Sequence, residues 1–277
     1  MKFGVQVRAT VEGVDLRWIA RAVEERGFES LFLPEHTHVP VVRRSVHPGG
    51  EELMEAALKG YDPFIGLAIV AAATERLRVG TGVCLIPQHD PIVLAKQVAT
   101  LDVLAGGRVI LGVGAGWNRE EMANHGVEPG QRWEVMREKV QAVKRIWTED
   151  EASFDGAFVR FGPIRQEPNP VQRPHPPVLI GGEGPGVLAR VAAYGDGWLP
   201  NDHPELLDRI AGLNELAAAV GRGPLPVSVY AMPDDAAAVA RYAEAGIERC
   251  VFNLPSRDVG ETTAALDRLA GIVRRWS

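Results

Sequence analysis

The chain has 277 residues, 46% of them hydrophobic and 24% charged, and a net charge of −6. That length buries a large core without disulfide or metal staples, and a closed α/β barrel of roughly 250 residues fits it as one domain, 1–277. No basic block stands out, which argues against nucleic-acid binding, and the longest apolar stretch, near Phe64–Ala73, is too short to cross a bilayer.

The chain opens on MKFGVQV, which reads directly as a strand with no signal peptide, so the expectation is a cytoplasmic domain. Cys84 and Cys250 both sit in apolar runs and read as buried small hydrophobes. Short β-branched runs alternate with longer helical ones, the mark of βα units and a parallel sheet. Eight strands are predicted: Phe3–Val7, Ser30–Leu33, Arg78–Leu85, Val109–Val113, Val178–Ile180, Gly197–Leu199, Val227–Tyr230 and Cys250–Leu254. Leu16, Ile19, Ala20 and Val23 stripe the first helix, which Gly27 stops. Further helices are predicted over Pro63–Thr74, Ile92–Leu104, Trp133–Trp147, Leu206–Leu216 and Ala264–Val273, with another opening at Val187. Eight strands with intervening helices make a closed (β/α)₈ barrel the economical architecture, with a doubly wound open sheet as the alternative.

Two segments interrupt the alternation. Val39–Tyr61, after the second strand, has little clean periodicity. Thr148–Pro177, after the fourth, holds a hairpin turning at Asp155-Gly156 and then a proline-rich run. Loops that follow barrel strands lie at the catalytic face, so both insertions are expected to wall the substrate.

The second strand ends in Pro34-Glu35-His36-Thr37-His38. A carboxylate and two imidazoles at a strand tip suit acid–base work or a metal. A metallohydrolase barrel built on His36 and His38 needs further ligands from other strand ends. The later tips carry none, and His203 is near one but alone. The third strand places Gly80 and Gly82 around Thr81, where glycine marks a bulge or a close approach. The fourth runs into Gly112-Val113-Gly114-Ala115-Gly116-Trp117, and the fifth into Gly181-Gly182-Glu183-Gly184, just before a helix. Bare backbone at a helix N-terminus is a phosphate cradle. Together these tips would surround a flat ligand with a phosphate tail.

The segments LFLPEHTHVP, RLRVGTGVCLIPQHDP, GRVILGVGAGWNREE, RWEVMREKVQAVKRIWTED and PHPPVLIGGEGPGVLARVAAYGDGW carry a family pattern. With them the chain resembles the luciferase-like oxidoreductases, in particular the coenzyme F420-dependent branch. The resemblance implies a (β/α)₈ TIM barrel with insertions after strands two and four. It implies hydride transfer between the deazaflavin C5 of F420 and a small organic substrate, with FMN and O₂ monooxygenation as the alternative and a silent cofactor-binding protein as another. It implies a cis Gly82–Val83 bond behind the ring, Glu35 and His36 facing the cofactor, and His36 as acid/base. Gly114, Ala115, Gly116 and Trp117 would contact the cofactor, and Gly181, Gly182, Glu183 and Gly184 its phosphate. Arg43 and Arg44 would meet an anionic tail, and a homodimer is implied. Sugar-phosphate dehydrogenases of the family carry a Glu directly after the strand-four Gly-x-Gly. Trp117 stands there, so a sugar phosphate is not expected.

Overall fold

The computed structural model describes residues 1–46 and 50–276, with backbone only at 51–53. Eight parallel strands form the barrel: β1 (Lys2–Val7), β2 (Ser30–Leu33), β3 (Arg78–Cys84), β4 (Val109–Val113), β7 (Val178–Gly181), β8 (Gly197–Leu199), β9 (Ser228–Met232) and β10 (Arg249–Leu254). The sheet order is β8-β7-β4-β3-β2-β1-β10-β9. Parallel bridges Trp198–Val227 and Asn201–Tyr230 join its two edges and close the ring. All eight predicted strands are present.

Alternation along each strand divides the apolar residues into two layers. Phe3, Val5 and Val7 of β1 pack outward against helices, whereas Phe32, Ile110, Leu179, Leu199, Tyr230 and Val251 fill the barrel interior. Gly80 is required here: a Cβ on it would lie 2.4 Å from the Phe32 ring.

The outer ring consists of α1 (Leu16–Glu25), α3 (Pro63–Ala73), α4 (Pro91–Leu104), α6 (Arg132–Thr148), α7 (Val187–Tyr194), α8 (Leu206–Ala219), α9 (Ala236–Glu244) and α10 (Val259–Val273), with shorter α2 (Glu51–Leu58) and α5 (Arg119–Asn124). Asp62 and Asp90 cap helices whose first residues are Pro63 and Pro91, two well-formed starts. No helix among the described residues is long and apolar enough to cross a membrane.

The insertion at 39–61 is not all loop, since it contains α2. Its far end is tied to the loop after β1: Thr10 bridges Gly60, and Tyr61 N–H donates to Ala9 O at 3.1 Å.

The insertion at 148–177 holds the expected hairpin, β5 (Ala152–Asp155) against β6 (Arg160–Ile164), but packs along the outside of the barrel against α6 and α4, and none of its residues is among the cavity's walls. It follows helix α6 and not a strand, and its last residues reach the face where strands begin. There Asp102, fully buried, accepts from Val171 N–H at 2.8 Å and Gln172 N–H at 3.0 Å. The Gln172 amide donates to the carbonyl of Val109, the first residue of β4, at 2.8 Å. The expectation that 148–177 walls the substrate is therefore corrected.

Candidate active site

A cavity of about 420 Å³ opens at the carboxyl ends of the strands. Of the twelve site residues expected from sequence, it is lined by Glu35, His36, Gly82, Val83, Gly114, Ala115, Gly116, Trp117, Gly181, Gly182 and Glu183; Gly184 is not among its walls. Gln6, Arg8, Tyr61, Trp133, Asn201, Tyr230 and Ala231 are also among its walls.

One half of the cavity is backbone. The Gly82–Val83 bond is cis, as the resemblance implies. Tyr230 Oη donates to Gly82 O at 2.8 Å, and burial pushes that phenol above its ordinary pKa. A Cβ on Gly114 would lie 2.5 Å from Val83 Cγ2, and one on Gly181 2.8 Å from Cγ1. Glycine at both positions is thus what lets Val83 sit between the ends of β4 and β7. Gly116 and Gly182 have φ of +84° and +103°, and nothing stands within 4 Å of a Cβ at Gly182. Gly186, the N-cap of α7, provides no side-chain cap. Arg190, whose guanidinium lies 3.9 Å above the Trp133 ring, borders that turn.

The other half carries the titratable groups. His36 Nδ1 lies 2.8 Å from Oε2 of Glu121, and the Trp117 ring meets the imidazole edge-on at 5.5 Å. Glu121 has no exposed surface. Its Oε1 accepts from Thr37 N–H at 3.0 Å. A carboxylate only accepts, so the Nδ1 of His36 carries the proton and Nε2 is the ring's basic nitrogen.

Sequence reasoning missed Glu121 as a functional residue. Its position three after Asn118, whose side chain caps α5 by accepting from Glu121 N–H, has a purely local explanation. The carboxylate instead reaches across to the tip of β2.

Glu35 lines the wall, but both of its oxygens are committed. Leu85 N–H donates to one, and His89 Nε2 bonds the other at 2.8 Å. It braces the turn after β3. His38 is held by Thr37 and Asn124, away from His36. Among the described residues, the group of possible metal ligands within reach of one ion is Glu35, Cys84 and His89. It contains neither His36 nor His38. Burial also pushes the Cys84 thiol well above its ordinary range, which keeps it protonated and a poor ligand. The metallohydrolase alternative gains no support from this arrangement. Arg43 and Arg44 do not line the cavity; the Arg44 N–H donates to Glu120.

A closed α/β barrel with a glycine-walled cavity and a histidine–carboxylate pair at the carboxyl ends of its strands has the architecture of a barrel enzyme. The family model of luciferase-like monooxygenases matches residues 1–275, and the chain belongs to that family of oxidoreductases. It is 39% identical over 279 residues to an uncharacterized protein of Mycobacterium tuberculosis (strain ATCC 25618 / H37Rv), covering 98% of each chain. It is 30% identical over 194 residues to the F420-dependent hydroxymycolic acid dehydrogenase of the same strain, covering 66% of this chain and 52% of that one. It is 36% identical over 133 residues to the FMNH(2)-dependent dimethylsulfone monooxygenase of Pseudomonas putida, covering 47% and 36%. The crystal structure of monooxygenase RslO1 from Streptomyces bottropensis shares the fold, with a TM-score of 0.84 at 21% identity over the whole of both chains.

Proposed function

We propose that the protein is an F420-dependent oxidoreductase acting on a small organic substrate, with His36 as its acid/base. The observation that carries this reading is the His36–Glu121 pair at the edge of a cavity whose facing walls are bare backbone. The residues fit the cofactor. Val83, seated on Gly114 and Gly181, gives a flat ring an apolar backing, and the open turn Gly181–Glu183 with the uncapped start of α7 suits a phosphate. When bound, reduced F420 supplies a hydride from C5.

The chain's own residues do the rest. Glu121 fixes the His36 ring and its tautomer. His36 Nε2 then donates or accepts the proton that accompanies the hydride, a role worth about 10²–10⁴-fold. Trp117, against the edge of His36, helps to orient it and walls the substrate from water. Glu35 and Gly184 have no direct chemical role in this scheme; Glu35 positions the turn that carries Leu85.

F420 is preferred because the relative named as F420-dependent matches two-thirds of the chain, and the FMNH(2)-dependent one under half. The FMN reading remains the second, supported by that latter likeness. Titrating purified protein with F420 and with FMN separates them. Tight F420 binding with substrate-dependent bleaching of its visible absorbance is the expected result; FMN binding with oxygen uptake and no F420 affinity overturns it.

The two free, buried cysteines suit a reducing cytoplasm. Ile65 and Ile69 of α3 and Val93 and Leu104 of α4 are exposed apolar residues on neighbouring helices, and we place a homodimer contact there. Analytical ultracentrifugation tests it: a dimer that Ile65→Glu converts to monomer is expected.

A further inference from the structure

Arg8 stands just past the end of β1, where alternation turns Gln6 and Arg8 toward the cavity while Val5 and Val7 face the helices. Gln6 is spoken for, since its amide donates to Asn253. The backbone of Arg8 is pinned, its carbonyl accepting from Ser256 Oγ at 2.9 Å. Its guanidinium forms no hydrogen bond or ion pair among the described residues. It is the one lysine or arginine among the cavity's described lining residues, and it is partly buried.

Among the described residues the wall offers it no counter-charge. The two carboxylates among the described lining residues are engaged elsewhere. Glu35 is bound by Leu85 and His89, and Glu183 Oε1 accepts from Asn201 N–H at 2.7 Å and from its side-chain amide at 2.8 Å. A guanidinium cannot shed its proton in a protein, and a partly desolvated one is stabilised by an anion far more than a surface one. Among the described residues, Ala9, Ala56, Ala57, Gly60 and Tyr61 form the neighbouring wall from the loop after β1 and the end of α2. Among the described residues Arg8 is therefore the one strong polar anchor on that side.

The cofactor's phosphate is the obvious rival for this charge, and the ring order argues against it. In the closed barrel β1 is separated from β7 by β2, β3 and β4 on one side and by β10, β9 and β8 on the other. Arg8 lies diametrically across the mouth from the glycine turn after β7. One phosphate group cannot occupy both places.

We propose that Arg8 binds an oxyanion of the substrate, so that the enzyme acts on small organic anions (carboxylates, sulfonates or phosphates) with an apolar body next to the charged group. This deepens the reading above and rests on it for the cofactor's place. The planar fork of Arg8 takes two oxygens of such a group at once and fixes which face of the substrate meets the cofactor. The small side chains of Ala9, Ala56 and Ala57 leave room for the apolar part, and Tyr61 covers it.

The test compares hexanoate, hexanesulfonate and uncharged hexanamide by isothermal titration, with wild-type protein, Arg8→Gln and Arg8→Lys, and measures F420 affinity of each in parallel. In the wild type one or both anions are expected to bind about 10–100-fold more tightly than hexanamide, the range given by a charge-assisted hydrogen bond. Arg8→Gln should abolish the preference, Arg8→Lys should keep part of it, and F420 affinity should stay within about twofold. Equal binding of anions and amide, or a preference that survives Arg8→Gln, overturns the proposal. So does a tenfold loss of F420 affinity in Arg8→Gln, which would assign the guanidinium to the cofactor. If F420 does not bind the wild type but the Arg8-dependent preference holds, the cofactor reading fails and the anion site stands. Thermal melts of both variants show whether they remain folded.

Discussion

His36 Nδ1 and Glu121 Oε2 lie 2.8 Å apart, and the carboxylate of that pair is sealed from solvent. Because Glu121 also accepts from Thr37 N–H, it is anchored before it orients the ring. His36→Ala is expected to lower turnover by about 10²–10⁴-fold with F420 affinity little changed. Glu121→Ala should lower kcat by about 10²-fold through loss of ring alignment. Glu121→Gln, which keeps an acceptor for Nδ1, should recover part of the loss. Steady-state kinetics with melting curves check this: a fall in kcat that the conservative variant does not rescue would reduce Glu121 to a packing role.

Val83 seated on two glycines gives a second prediction. Gly114→Ala places a methyl group 2.5 Å from Val83 Cγ2. Overpacking of this kind costs about 1–3 kcal/mol. The variant should bind cofactor more weakly and melt earlier, and adding Val83→Ala should restore part of both. A double-mutant cycle read by cofactor titration and urea denaturation measures the coupling.

Tyr230→Phe removes the hydroxyl that satisfies Gly82 O in a fully buried setting. Leaving that carbonyl unpaired should destabilise the fold by about 1–3 kcal/mol. Urea denaturation measures the loss, and unchanged stability would show that another donor replaces the phenol.

A pH dependence follows from His175, at the opposite end of the barrel. Burial holds its pKa below the ordinary histidine value, outweighing the Pro176 carbonyl 2.8 Å from Nδ1 and the Asp196 carboxylate 3.8 Å away. The folded state thus favours the neutral ring. Its contribution to stability is present above the unfolded pKa of about 6.5 and is lost as pH falls toward the lower folded value. The melting temperature should therefore drop between pH 7.5 and pH 5. Replacing His175 with Gln should flatten that slope, as thermal melts across the range would show.

The barrel was legible because its strands are continuous apolar runs and several of its helices open on Asp-Pro or close on Gly. Local rules suffice there. The glycine tips were legible for the same reason: Gly82, Gly114 and Gly181 stand where side chains would collide. Three things needed the third dimension. Residues 148–177 follow strand four in the sequence pattern, but helix α6 intervenes, and the segment packs on the barrel's outside without reaching the cavity. Helix α9, rich in alanine, lacks the large apolar stripe that marks its neighbours. Glu121 lies 85 residues from His36, its place in the sequence has a local explanation in the Asn118 cap, and no spacing rule connects the loop after β2 with helix α5 after β4. The hydrogen bonds of Glu35 were hidden for a related reason, since its partners Leu85 and His89 meet it only when β2 and β3 pair.

Lys139 on α6 donates to the carbonyls of Pro87 and His89, both at 2.6 Å, and His89 in turn holds Glu35, which holds Leu85 in the cavity wall. An outer helix is thereby wired to the rim of the mouth through four residues. Drift in the surface sequence of α6 is then not silent for chemistry. A change that slides this helix by a fraction of an ångström would be read out at Leu85, giving relatives a way to retune their pocket while every residue that touches the ligand stays the same.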